Sequence, residues 1–170
     1  MKSIKMLVVA TICALCLVTT AQAQTTGKIG YLDLSKVFDN YDKTKEYDAQ
    51  LEAKHQAYEK ERNQKVDKLK EAQGKLALMK EEEKDKLTKD IEAMREELIA
   101  YDQAQKTDLT KQRDEKIREI LLEIENIVSD FSKKEGYDLI LNDRVLIYGN
   151  ESMDVTSKVL DILNKSYNKK

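Results

Sequence analysis

Cysteine, proline, tryptophan and glycine are all scarce in this 170-residue chain, and each shortage narrows what the fold can be. The two cysteines, Cys13 and Cys16, lie near the N-terminus, and the chain has no proline, no tryptophan and five glycines. Without proline a helix can run for many turns unbroken. Without later cysteines, neither disulfides nor thiolate-bound zinc can stabilise the rest of the chain. What is abundant is charge, at 36% of residues, a composition typical of long solvated helices.

The N-terminus has the pattern of a secretory signal peptide. Two lysines precede an apolar run over residues 6–18, and Ala21 and Ala23 then supply small side chains for cleavage. The run is shorter than the roughly 20 residues of a membrane-spanning helix. We therefore expect residues 1–23 to be removed after export, so that the mature protein begins at Gln24, contains no cysteine and contacts a membrane at most peripherally.

The charge balance argues against a nucleic-acid partner. Removal of the two N-terminal lysines leaves 28 basic and 32 acidic residues, a formal net charge of −4. Nucleic-acid-binding domains usually have a basic face and a high isoelectric point, whereas the isoelectric point of this chain is about 5.7.

Two long series of apolar residues at helical spacing follow a short strand pattern. Residues 28–33 alternate polar and apolar side chains, which predicts a strand, and Ser35 is a candidate N-cap. The first helical series extends from Val37 to about Met79, and the second extends from Leu87 to Phe131. Charges of both signs between the apolar positions predict helices whose surface is mostly in water.

A charged stretch over residues 80–86 separates the two series and leaves two arrangements open. One continuous helix is conceivable, because nearly all of these residues are good helix formers. A hairpin turning near Glu82 instead places apolar residues opposite each other, such as Leu76 opposite Ile91, and is therefore favoured. Midway along this hairpin the facing positions are polar, so we expect a weakly zipped, flexible arm. These positions are His55, Arg62, Gln105 and Gln112.

The C-terminal part has the pattern of a β-hairpin. Residues 139–141 and 145–148 are apolar at successive positions, which predicts strands buried on both faces. Gly136 can end the preceding helix, and Asp154 can cap a last short helix. Three short strands cannot cover both faces and all edges of a sheet, so we expect oligomerisation. The predicted interface residues are Ile29, Tyr31, Leu139, Ile140, Leu141, Val145, Leu146 and Ile147.

The predicted fold class is therefore α+β and mostly helical. A small β head, made of one N-terminal strand and a C-terminal hairpin, carries a long antiparallel helical-hairpin arm and oligomerises through the head. Residues 24–170 would form a single domain, with the head at about 24–50 and 115–170 and the arm at about 51–114.

Four head motifs and the charged hairpin between them occur in an order that resembles the OmpH/Skp family of periplasmic chaperones. The resemblance extends from about Lys28 to Leu163. It implies a homotrimer in the periplasm whose strands form a central barrel and whose hairpins surround a cavity, where unfolded outer-membrane proteins are held without ATP. The best-known members are basic whereas this chain is slightly acidic, so we assign no lipopolysaccharide-binding residues. The motifs are Gly30-Tyr31-Leu32-Asp33, residues 136–141, residues 145–148 and residues 154–160.

No pattern in the sequence predicts catalysis, a cofactor or a metal site. The lone histidine, His55, is in a charged helix and is interpreted as surface or seam, and Glu81–Glu83 lack the spacing of a calcium loop. Tyr58 and Tyr101 are expected to fill the helix seam with their hydroxyls in water rather than to contact client. The alternative function is a structural or adaptor coiled coil of the cell envelope, which would be expected to have a purer apolar seam and no two-faced hairpin.

Overall fold

The computed structural model describes residues 27–169, so the predicted signal peptide and its cleavage site lie outside the described residues. The elements, in chain order, are β1 (Ile29–Leu32), α1 (Leu34–Asn40), α2 (Asp42–Leu78), α3 (Glu81–Glu135), β2 (Leu139–Asn142), two short 3-10 turns (Asp143–Val145 and Glu151–Met153) and α4 (Thr156–Tyr167).

Helices α2 and α3 lie side by side and form the arm. Lys43, at the start of α2, contacts Glu123 near the end of α3, whereas Lys65 contacts Glu97, which lies earlier in α3. Contacts that run in opposite directions along the two helices show that the pair is antiparallel.

The chain reverses at the tip through two residues, slightly before the predicted position near Glu82. Helix α2 ends at Leu78, Met79 and Lys80 are extended, and α3 begins at Glu81. The acidic run therefore forms the first turn of α3, where carboxylates are stabilised by the positive end of the helix dipole.

The two strands form a parallel sheet in which Ile29 lies opposite Leu139. Parallel neighbours need a long crossover connection, and here the entire arm is the connection. The opposite edge of β1 is also occupied, because Tyr31 bridges Asp154 and its carbonyl accepts a hydrogen bond from the Val155 N–H at 2.9 Å.

The predicted intrachain β-hairpin was wrong, because Val145–Tyr148 does not form a strand. The Asn142 side chain accepts a hydrogen bond from the Arg144 N–H and begins a 3-10 turn, a local bond that competes with strand pairing. Strand β2 pairs with β1 instead. Residues 146–150 follow with no regular structure, and three of the apolar side chains from Val145 onward are largely exposed: Val145 at 70%, Ile147 at 106% and Tyr148 at 82%.

The core lies where the arm meets the head. Tyr41, Ile120 and Ile124 are buried together, and Phe38 packs against them. Helix α4 adds Val159 and Leu163, whereas Ile162 is 38% exposed. A helix 12 residues long presents one stripe to the core, and Ile162 lies beside that stripe.

Two helix ends test the predicted caps. Gly136 ends α3 in the left-handed conformation, with φ 69°, as predicted. Ser35 is not the N-cap of α1. That cap is Asp33, whose carboxylate accepts the Lys36 N–H at 2.8 Å, and the Ser35 hydroxyl instead accepts from the Arg144 guanidinium.

Candidate functional site

The two faces of the small sheet differ in what covers them. On one face Leu32 is 5% exposed and Ile140 packs against the core beside it. Successive side chains of a strand point to opposite faces, so the other face carries the side chains between these positions. There Ile29 is 43% and Leu139 is 47% exposed, directly opposite each other. We call this surface the open face; it consists of Ile29, Tyr31, Leu139 and Leu141.

The exposed segment 145–148 lies next to the open face. It leads into Gly149, where an added methyl group would overlap the Tyr31 ring, so the chain passes directly over that ring. Of the eight predicted interface residues, four lie on the open face, and Val145 and Ile147 are exposed in this segment. Leu146 is half-buried. Ile140 lies on the other face of the sheet, where it is half-buried and packs against this chain's own core.

The outer part of the arm is closed by an apolar seam. Ile91 is 4% exposed and Ala72 is 7% exposed, and Leu76 and Leu87 are half-buried. At the tip Leu78 is 90% exposed. Only one partner helix is available to each residue here, so the seam is a single narrow line of contacts.

A polar network joins the helices midway along the arm. Asp102 accepts a hydrogen bond from the Tyr58 hydroxyl at 3.1 Å and another from Arg62 Nε at 3.1 Å. Partial burial raises the pKa of Asp102, but the hydrogen bonds from Arg62 and Tyr58 outweigh it and lower the pKa overall. The polar seam position at Arg62 therefore has a specific partner across the arm.

The same network continues one turn further out. The Tyr101 hydroxyl donates to Glu61 at 2.8 Å, and Lys65 pairs with Glu97 at 2.7 Å while its ammonium lies 5.1 Å from the Tyr101 ring centre. Partial burial and the Glu61 carboxylate raise the pKa of Tyr101 to about 12. The Tyr58 and Tyr101 rings are 5.8 Å apart. We call this set the mid-arm network: Tyr58, Glu61, Arg62, Lys65, Glu97, Tyr101 and Asp102.

Both tyrosines fill the helix seam, as predicted, and Tyr58 is only 6% exposed. Their hydroxyls do not rely on water alone, since each donates to a carboxylate of the other helix. The sequence signal was an acid near each tyrosine, with Glu61 three residues after Tyr58 and Asp102 directly after Tyr101, at the depth where the predicted seam became polar.

The arm is loosely packed between the mid-arm network and the head. In the described stretches 45–57 and 103–118 every residue is half-buried or exposed, and none is fully buried. Lys54 donates to Gln112 across the gap. His55 lies at the surface here, 3.5 Å from the Glu59 carboxylate. Polar seam positions leave few apolar contacts in this part of the arm, as the sequence predicted.

At the root of the arm a charged group fixes α2 to α3. The Lys43 ammonium pairs with Glu119 at 2.9 Å and also with Glu123. Hydrogen bonds from Lys116 and Lys43 lower the pKa of Glu119 to about 2. Partial burial opposes the charge of Lys43, but the two carboxylates outweigh it and raise its pKa. Both ions are therefore held in their charged forms near neutral pH.

An apolar groove of about 340 Å³ runs between β2 and α3, where the arm joins the head. Leu121 and Val128 of α3 form one wall, and Ile140 of β2 forms another. A second groove adjoins it and includes Phe38 and Ile117. This groove was not predicted from the sequence, although α3 carries apolar residues away from the seam at this depth.

Within residues 27–169 the acidic and histidine side chains form no group of three or more arranged to hold a metal ion. Over the same residues, none of the helices combines the length and the apolar character that crossing a membrane requires.

The residues that form the sheet, the arm and most of α4 match a known protein family. Residues 28–163 match the model of the family described as outer membrane protein (OmpH-like). That match spans most of the chain. The chain belongs to the OmpH-like family, as the sequence resemblance indicated.

Individual relatives agree with this assignment. The chain is 27% identical over 150 residues to a protein of Pectobacterium atrosepticum named Chaperone protein Skp, with 86% of this chain and 91% of that protein covered. It is 28% identical over 145 residues to a protein of the same name from Photorhabdus luminescens, covering 83% and 88%. Among solved structures, that of an OmpH-like protein from Caulobacter crescentus CB15 superposes with a TM-score of 0.77 at 12% identity, covering 82% and 85% of the two chains.

Proposed function

We propose that this protein is an ATP-independent holdase chaperone of the periplasm that binds unfolded outer-membrane proteins in transit and prevents their aggregation. The observation that carries the proposal is the shape: a 37-residue and a 55-residue helix project from a head that leaves an apolar face uncovered. Membership of the OmpH-like family and relatives named as chaperones support it. We expect no enzymatic activity, no cofactor and no nucleic-acid partner.

Assembly through the head is part of the proposal. The open face and the exposed segment 145–148 present contiguous apolar side chains, a surface that normally marks an interaction site. We infer that copies of the chain associate there as a homotrimer, with the arms projecting around a shared cavity. The head, at about 24–50 and 115–170, would carry the interface and the arm, at about 51–114, would enclose client.

Two substitutions separate the interface from the core. Ile147→Asp places a charge on a side chain that is fully exposed in the single chain, so the monomer should stay folded while the oligomer dissociates. Ile140→Asp buries a carboxylate against the chain's own core and should unfold the head. Light scattering measures the mass and circular dichroism the fold. A trimeric Ile147→Asp variant would place the interface elsewhere.

Client binding should rest mainly on apolar contact, because the mature chain is not basic. Exposed charges are screened within about 8 Å at physiological salt, whereas apolar burial at roughly 25 cal/mol per Å² is not. Many weak contacts would hold a client without imposing one conformation, and no hydrolysis is needed for release into a more stable folded state. The arm's mixed charges would contribute to the first encounter.

The test is suppression of aggregation of an unfolded β-barrel protein by the mature chain in nucleotide-free buffer. We expect protection that survives a rise in salt and does not respond to ATP. A variant whose arm is shortened between about Lys54 and Lys111, with a short turn rejoining the helices, should remain oligomeric but lose protection. An arm-less variant that protects fully would contradict the proposal and favour an adaptor role for the arm.

Intact mass of the exported product tests cleavage before Gln24.

A further inference from the structure

The first arm helix does not continue directly from the head. Helix α1 ends at Asn40 and α2 begins at Asp42, and between them Tyr41 is extended, with φ −68° and ψ 127°. Helix α3, in contrast, is continuous from the tip to the head. The direction in which α2 leaves the head is therefore set by side-chain contacts at this break.

The C-terminal residues supply those contacts. The Asn164 side-chain oxygen accepts the Asp42 N–H at 2.9 Å, and its amide nitrogen lies 3.5 Å from the Asn40 carbonyl, to which it donates. One side chain thus bonds to the last residue of α1 and the first residue of α2. The cap of α2 is supplied from a position 122 residues away in sequence rather than by the local residue Tyr41, which makes no side-chain cap.

Two further side chains extend this bracket along α2. Asn168 donates to the Asp42 carboxylate at 3.0 Å, and the Tyr167 hydroxyl donates to Glu46, one turn into the arm. The Tyr167 ring also meets the Tyr41 ring edge-on, with centres 5.8 Å apart. We call residues 164–168 the C-terminal strap.

The strap is firmly anchored to the head on its other side. Val159 and Leu163 of α4 are buried in the core, and the Thr156 hydroxyl accepts the Asp33 N–H at 2.9 Å. A movement of α2 at its root would therefore have to break contacts with an element that cannot follow it. The ion pairs of Lys43 with Glu119 and Glu123 of α3 also hold the start of α2, so the C-terminal residues act beside them on the opposite side of the break.

We propose that the C-terminal strap is a positioning device, which fixes the direction of α2 at the break and thereby sets the width of the space between the arms. The effect on client rests on the proposed chaperone function; the effect on α2 does not. Loss of the strap would loosen the root of α2 while the sheet and core stay folded.

The test uses the full mature chain with Asn164→Ala, Tyr167→Phe and Asn168→Ala combined. Tyr167→Phe keeps the ring against Tyr41, so the packing is retained. Hydrogen exchange of the backbone amides at 42–46 should become roughly tenfold faster, as expected for a helix that loses its cap and two side-chain ties, while exchange in β1 and β2 is unchanged. The matched control is Lys165→Ala with Ser166→Ala, at exposed positions of the same turn.

A rescue variant keeps the result interpretable. Asn164→Asp, with the other two positions native, retains the oxygen that accepts the Asp42 N–H but cannot donate to the Asn40 carbonyl, so exchange at 42–46 should lie between that of wild type and that of the triple variant. Unchanged exchange in the triple variant would overturn the proposal. So would an equal rise in β1 and β2, because the strap would then only contribute to global stability.

Client protection supplies the second readout. We expect the triple variant to need several-fold more protein than wild type to suppress aggregation of the same client. Faster exchange at the root with protection unchanged would refute the link between the strap and the client space. Failure of the wild type to protect any client would instead refute the proposed function, and the exchange result would stand by itself.

Discussion

The arm and the head should be separate cooperative units, and a matched pair of isoleucine truncations can test this. Ile91 is the most buried side chain of the outer arm, at 4% exposure, and its seam contains few other buried residues. Ile124 is 1% exposed inside the head core. Both positions lie in the same helix, α3, so Ile91→Ala and Ile124→Ala make the same chemical change in two different surroundings.

The expected magnitudes differ because the surroundings differ. Truncating a buried isoleucine to alanine costs about 2–5 kcal/mol, the lower values applying where neighbours can close the cavity. We expect about 2 kcal/mol for Ile91, whose two-helix seam can relax, and about 4 kcal/mol for Ile124, which is enclosed on all sides. Since each 1.4 kcal/mol is a factor of ten, these values correspond to roughly 30-fold and several-hundredfold changes in local opening.

Native-state hydrogen exchange measures both variants segment by segment. In Ile91→Ala, amides of the outer arm should exchange about 30-fold faster while β1 and β2 keep their wild-type rates, because two helices that contact only each other can open locally. In Ile124→Ala the head itself should lose protection. If Ile91→Ala accelerated exchange in β1 and β2 as much as in the arm, the arm and head would be one unit and the reasoning would fail.

Three further predictions follow from individual contacts. The pKa of Glu119 is lowered from 4.5 to about 2, so its ion pairs stabilise the fold above about pH 4.5, and this contribution is lost as the pH falls towards 2. The urea midpoints of wild type and Glu119→Gln should therefore converge over that range. A difference that stays constant with pH would contradict this. Tyr58→Phe leaves Asp102 with one donor fewer and should speed exchange around the mid-arm network only, with the far-ultraviolet spectrum unchanged. Gly136→Ala forces a side chain into a left-handed cap and should destabilise the protein by about 1 kcal/mol. Gly74→Ala, in open space within α2, should stabilise it by about as much. Shifts of the thermal unfolding midpoint in the same direction for both variants would refute this.

The helical architecture could be predicted because it is written in local periodicity. Apolar residues at spacings of three and four identify α2 and α3, and their pairing across a turn near residue 80 follows from matching apolar positions. The end of α3 was equally local, since only glycine adopts the left-handed cap without strain at Gly136.

The structure of the head was harder to predict, because each of its apolar segments could pair with more than one partner. The apolar residues of segment 145–148 predict burial but do not indicate which surface covers them. Within one chain β2 pairs with β1, and the segment stays exposed. The same limit applies to Ile140. This side chain packs against the chain's own core because of the face of the strand on which it lies, and the run of apolar residues did not indicate that face. The Asn164 cap could not be predicted from spacing, since donor and acceptor are 122 residues apart.

The mid-arm network also bears on how an arm can open and close around a client. A continuous leucine seam would hold the helices tightly, but separating it would expose apolar surface at a cost of roughly 25 cal/mol per Å². Polar pairs such as Arg62 with Asp102 specify which residues lie opposite each other, yet their groups can be solvated when the helices part. A loosely packed section lies between this network and the head, so bending there leaves the network intact. An arm built in this way can change shape without presenting a new aggregation-prone surface of its own, which is what a protein that protects aggregation-prone chains requires.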